Sequence, residues 1–142
     1  MKSQVLDVLS KVYGAKISIE TATHCSGGSI NESQILQLSN QEKVFIKTHP
    51  SPPLGFFNKE AQGLEILRSA AAGPKIPRVL SLGPEKNPKF ILLEFLEETQ
   101  TNYFPSLGKN LASLHKVSNE LFGLDHDNFI GKTHQINTQE LN

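Results

Sequence analysis

Three stretches of this sequence have the side-chain types and spacing to handle a phosphate. Ser26-Gly27-Gly28-Ser29-Ile30-Asn31 is a turn of small and polar residues. A turn of that kind lets backbone N–H groups approach phosphate oxygens, with Ser26, Ser29 and Asn31 adding donors. Lys47 ends the apolar run Val44-Phe45-Ile46 and can reach the same oxygens. Glu60 stands three residues after Phe57, four before Leu64 and seven before Leu67. That spacing puts its carboxylate on the apolar side of a helix, where it needs a partner. Pairing Glu60 with Lys47 accounts for a charge that is otherwise out of place.

The order of these features matters more than any one of them. Gly27-Gly28 alone is weak evidence, because a plain tight hairpin turn accounts for the pair better. No Gly-x-x-x-x-Gly-Lys-Ser/Thr run occurs, which excludes a Walker-type loop, and the pair falls short of Gly-x-Gly-x-x-Gly. A lysine strand one hairpin after the turn, then a helix with an inward carboxylate, is nevertheless the arrangement by which kinases hold nucleotide phosphates. Glu94-Phe95-Leu96 ends a strand before a polar linker. In a lobe of that kind it is the hinge, where backbone groups hydrogen-bond an adenine edge between apolar walls.

Other reactive residues carry less. Asp125-His126-Asp127-Asn128 is dense in metal-ligand types, but polar turn clusters are common and no further ligand spacing supports a metal. His115, four residues after Leu111 on a helix, reads as packing or capping. Cys25 reads as a half-buried, inert thiol. His24, His49 and His134 stand in polar surroundings without evident partners.

The elements that would position these residues follow from periodicity. Residues 3–13 carry Val5, Leu6, Leu9, Val12 and Tyr13 at helical spacing, with Gly14 as the stop. Residues 17–20, 35–38 and 43–47 read as strands, the last two as a hairpin over the polar turn 39–42. The spacing predicts a main helix over 56–72 ending at Gly73-Pro74, strands over 79–82 and 90–96, and a helix marked by Leu107, Leu111, Leu114 and Val117. From Phe122 onward there is no clear periodicity.

Composition bounds the partners. The 142 residues carry 14 basic and 14 acidic side chains and one cysteine. Zero net charge gives no bulk reason to expect nucleic acid or an anionic membrane, so an anion must be held locally. A single cysteine allows no intrachain disulfide and fits a reducing, cytoplasmic setting. No apolar run is long enough to cross a bilayer, and the first residues do not form a signal peptide.

The ordered series Ser26 to Asn31, Val44 to Thr48, Glu60 with Gly63-Leu64 and Leu67, Ile76-Pro77-Arg78-Val79, Leu92 to Leu96, Leu107-Gly108 with Leu111-Ala112 and Leu114-His115, and Phe122 to Gly131 resembles the fructosamine (ketosamine) kinase family. The last segment is the most specific, because generic kinases lack it. The resemblance implies an α+β, protein-kinase-like N-terminal lobe over residues 1–96, a five-stranded antiparallel sheet with one main helix. Residues 97–142 would be a hinge and the start of a helical second lobe. It further implies ATP and Mg2+ as cofactors and a ketosamine, small or on a glycated protein, as substrate. Ser26, Gly27, Gly28, Ser29 and Asn31 would cover the phosphates, Lys47 would contact them, Glu60 would fix Lys47, and Glu94, Phe95 and Leu96 would hold adenine.

The family's later His-Gly-Asp loop and metal-binding aspartate are not in this sequence. By resemblance, the catalytic aspartate and the Mg2+ ligands are expected beyond Asn142, the last residue. The expectation is therefore a truncated kinase without catalytic residues of its own, or alternatively a natural half-kinase acting as a nucleotide-binding or interaction module. Truncation predicts an exposed apolar face on the last helix, where Leu107, Leu111 and Leu114 would lack their lobe, and with it a surface for self-association.

Overall fold

The computed structural model describes residues 1–25, 31–98 and 103–137, and the backbone of 140–141. The Ser26, Gly27, Gly28 and Ser29 part of the expected phosphate turn lies outside the described residues. So does Asn142, the point beyond which the catalytic aspartate is expected, and the structure does not bear on that expectation.

A five-stranded antiparallel sheet organises the molecule: β1 (Ile19–His24), β2 (Glu32–Leu38), β3 (Lys43–Thr48), β4 (Val79–Leu82) and β5 (Phe90–Glu94), in the order β1-β2-β3-β5-β4. β3 and β5 are central, and alternation along β3 sends its side chains to two different cores. Val44 and Ile46 join Leu36, Leu38, Phe90 and Leu92 on one face, covered by Val5, Val8 and Leu9 of helix α1 (Lys2–Tyr13). On the other face Phe45 joins Ile91 and Leu93 beneath helix α2 (Phe56–Arg68), which contributes Phe56, Phe57, Ala61 and Leu64. The opening helix is thus the second cover of the sheet. Both faces of β5 are buried, which is why Phe90 to Leu93 reads as an unbroken apolar run.

Several bounds differ from the sequence expectation, each for a local reason. β1 runs to His24 because an edge strand exposed along most of its length needs no alternation to form. α2 stops at Arg68, where the Ser69 hydroxyl donates to the Ile66 carbonyl at 2.7 Å. β5 ends at Glu94, so Phe95 and Leu96 lie beyond the sheet. Helix α3 (Phe104–His115) starts earlier than its leucines suggest, with Pro105 in its first turn, where a missing N–H costs nothing.

The segment after Phe122 is more ordered than its pattern indicated. β7 (Asn128–Ile130) and β8 (Thr133–Gln135) form a hairpin around Gly131-Lys132, with Gly131 at φ 61°. β6 (Leu121–Phe122) pairs with β9 (Glu140–Leu141). α3 buries none of its residues, and Leu107 and Leu111 are 49% and 43% exposed. Leu114 is half-buried, facing the turn at Gly73.

Candidate nucleotide site

The site is built on cross-strand rows of the sheet face that α2 covers. Ile35 on β2, Phe45 on β3 and Leu93 on β5 stand opposite one another and make an apolar row. Two residues further along β3 the next row on that face is Ser33, Lys47 and Ile91. The rise along a strand separates the two rows by about 7 Å.

Lys47 Nζ lies 2.5 Å from Glu60 Oε1, with the two side chains 31% and 21% exposed. The pair expected from helical spacing is formed. Both side chains of the pair line a ligand-sized cleft. That cleft, about 330 Å3, is lined by Ile35, Phe45, Lys47, Glu60 and Leu64, and closed by Pro77, Leu93, Glu94, Phe95 and Leu96. Sequence reasoning named its charged end and its hinge but not its floor. The floor was legible in the alternation of β2 and β3, where Ile35 and Phe45 both face away from α1.

The expected hinge residues differ in role. Glu94 donates its backbone N–H to the Arg78 carbonyl at 2.8 Å. Its carboxylate accepts from Arg78 N–H and Nε at 3.2 and 3.4 Å, with Lys75 Nζ at 3.8 Å. The Arg78 backbone hydrogen bond, with the Arg78 and Lys75 charges, holds the Glu94 carboxyl below the ordinary glutamate range. Glu94 thus fixes the chain where it leaves the sheet. Phe95 is held by Lys43, whose Nζ sits 5.2 Å from the ring centroid and 3.2 Å from Glu97 Oε1.

Glu60 also borders a second cavity, about 390 Å3, between α2 and the β7–β8 hairpin. Asn31, Phe56, Gly63, Leu67, Asn128 and Phe129 are among its walls. Among the described residues, the buried Asn31 Oδ1 has no hydrogen-bond partner. An acceptor left in that state costs stability unless a donor reaches it, which suits a ligand or a partner segment.

Two of the remaining histidines have hydrogen-bond partners that the sequence did not reveal. His24 shares a hydrogen bond with Gln34 at 3.1 Å, and His49 Nδ1 accepts from the Ser51 N–H. His115 is exposed on the last turn of α3, and Cys25 is half-buried. Among the described residues no group of three or more His, Cys, Asp or Glu side chains is placed to hold a metal ion. No helix among these residues is long and apolar enough to cross a membrane.

A two-faced antiparallel sheet with a lysine on its central strand, paired to an inward helix glutamate beside an apolar cleft, defines a protein-kinase-like N-terminal lobe. Comparison with known proteins makes this specific: the chain belongs to the fructosamine kinase family, whose sequence model matches residues 1–142. A Lactiplantibacillus plantarum protein named "Probable ketoamine kinase" is 35% identical over 133 residues, covering 91% of this chain and 45% of its own length. A Vibrio parahaemolyticus protein of similar name is 34% identical over 142 residues, covering 96% of this chain and 47% of its own. A crystal structure from Haemophilus somnus 129PT, assigned as a fructosamine-3-kinase, superposes with a TM-score of 0.83 at 25% identity. It covers 99% of this chain and 48% of that one. The chain spans about half the length of the curated relatives it matches.

Proposed function

We propose that these 142 residues are the ATP-binding half of a ketosamine kinase, which transfers the γ-phosphoryl group to a sugar hydroxyl of a glycated amine or protein and so promotes deglycation. The observation that carries this reading is the Lys47–Glu60 pair at the end of the apolar row, in a chain matched throughout by the fructosamine kinase model. Adenine rests on Ile35, Phe45 and Leu93, with its edge toward the backbone of Glu94, Phe95 and Leu96. The phosphates run past Lys47 beneath the Ser26 to Asn31 turn. Glu60 keeps the ammonium in place, so that binding the nucleotide need not also order the lysine.

Residues 1–96 form the nucleotide lobe, and residues 97–142 are the hinge and the first helical part of a second lobe. Positioning and charge stabilisation supply most of phosphoryl-transfer catalysis, and the His-Gly-Asp loop and metal-binding aspartate that complete them are not in this sequence. In this reading those groups belong to a segment beyond Asn142. The chain alone therefore binds nucleotide without transferring phosphate. A ketosamine substrate, a reducing cytoplasmic setting and self-association through α3 complete the reading.

Isothermal titration of the 142-residue chain with MgATP tests it, alongside a radiolabel transfer assay with fructosyl-lysine. Binding that Lys47→Ala weakens about tenfold or more, without transfer, is the expected result. No nucleotide binding, or binding indifferent to Lys47→Ala, would refute the site.

A further inference from the structure

The Asp125-His126-Asp127-Asn128 cluster serves neither the nucleotide nor a metal in the reading above. Together with Asn137 it fastens the β7–β8 hairpin. Asn137 donates its backbone N–H to Asp127 Oδ1 at 3.0 Å, and its side-chain amide to the His126 carbonyl and Asn128 Oδ1 at 3.0 and 3.1 Å. His134 Nε2 on β8 lies 3.5 Å from Asp127 Oδ2. Strands of three residues do not hold together by themselves, so the hairpin depends on these bonds and on what it packs against.

It packs against the first turn of α2. The Phe129 ring lies 5.5 Å from Phe56 and 5.5 Å from His134, held between the two. Phe56 in turn stands edge-on to the fully buried Phe57 at 5.2 Å. α2 has little local support at this end: its N-cap is Gly55 at φ 76°, without a side-chain cap or an acidic residue in the first turn. The loop before it is held by Asn87, which accepts from the Gly55 N–H at 2.9 Å.

Phe56, Glu60, Gly63 and Leu67 follow at spacings of four, three and four, so they form one stripe along α2. Space is open above Gly63, where the second cavity lies. The aromatic contact with the hairpin is therefore at Phe56, one helical turn from Glu60. A turn of helix is about 5.4 Å and stiff, so a shift at Phe56 is carried to the carboxylate.

We propose that the β7–β8 hairpin is a clamp on α2, and that Phe129 is a positioning residue that sets Glu60 against Lys47. Its consequence for ATP rests on the nucleotide reading; its structural test does not. Amide hydrogen exchange on the 142-residue chain provides that test. Phe129→Ala should speed exchange of the α2 amides about tenfold or more while those of β2 and β3 keep their protection. A merely structural loss would speed both sets alike. Phe129→Tyr should restore the wild-type pattern. Asn137→Ala, which loosens the hairpin without touching α2, should reproduce the effect more weakly, and it decides the matter if Phe129→Ala does not fold.

With MgATP as probe, Phe129→Ala should weaken binding about three- to tenfold, and cause no further loss in a Glu60→Gln background. Unchanged α2 exchange in both variants, equal acceleration in the sheet, or additive losses of MgATP binding would overturn the proposal. If the wild-type chain binds no MgATP while α2 exchange still responds to Phe129→Ala, the nucleotide reading falls and the clamp stands.

Discussion

α2 and α3 are nearly matched in length, at 13 and 12 residues, and both carry leucines at helical spacing. Within the described structure they have different fates. α2 buries Phe56 and Phe57, turns Glu60 toward Lys47 and closes one face of the sheet. α3 buries nothing and leaves Leu107 and Leu111 facing outward. Amphipathic patterning specifies that a face is to be covered, and does not say by what. For α2 the cover is the sheet, contributed by neighbouring elements of the same 142 residues. For α3 no such cover lies among the described residues, although its stripe is as regular.

Removing an apolar side chain from each helix should have very different consequences. Phe57 is fully buried, touching Phe56 edge-on and packing with Ile91 and Leu93. Phe57→Ala should cost about 3–5 kcal/mol, enough to remove a large fraction of the stability of a domain this size. Urea denaturation followed by far-ultraviolet circular dichroism measures it. A loss under about 1 kcal/mol would mean that α2 is not anchored by this core.

Legibility in the sequence follows the same divide. The Lys47–Glu60 pair could be read in advance because two independent periodicities, a strand end and a helix stripe, each left a charge needing a partner. The apolar run of β5 was legible for a different reason, because burial on both faces wrote itself into residue type, while β4, half-buried throughout, was legible from its apolar residues beside a turn. β1 was only partly legible, since an edge strand whose Glu20, Thr21, Thr23 and His24 are exposed carries no alternation. The β7–β8 hairpin was missed altogether. Its three-residue strands are too short for periodicity, and what holds them is the Asn137 network and the contact of Phe129 with Phe56, which no local pattern reveals. That α1 covers the opposite sheet face was likewise a matter of topology, invisible in its own amphipathic spacing.

A smaller effect probes the hinge end of the α2-covered face. Glu94 has its carboxyl held below the ordinary range by the Arg78 backbone N–H and the nearby cations. A depressed folded-state value means that its stabilising contribution is full above the ordinary glutamate range and is lost as the pH falls through the folded value. Glu94→Gln should therefore flatten the acid limb of the stability curve and leave its neutral region less stable. The side chain is partly exposed, so solvent screening keeps the change modest. Thermal unfolding from pH 3 to pH 7 checks it, and an acid limb identical to that of the wild type would show that Arg78 does not favour the charged form.

The smallest effect on stability is expected on α3. Leu111 is 43% exposed and sits four residues from Leu107 on the same stripe. Substituting a surface residue away from caps, cores and paired charges changes stability by less than about 0.5 kcal/mol. Leu111→Lys should therefore leave the denaturation midpoint in place while altering behaviour between molecules, because an apolar stripe without a cover lowers its free energy by meeting another. Sedimentation velocity over a concentration series separates the two properties. Association in the wild type that disappears in Leu111→Lys, with an unchanged midpoint, identifies the α3 stripe as a surface that acts between chains. A midpoint that falls as far as for Phe57→Ala would instead place Leu111 in an internal core, and the contrast between the two helices would be gone.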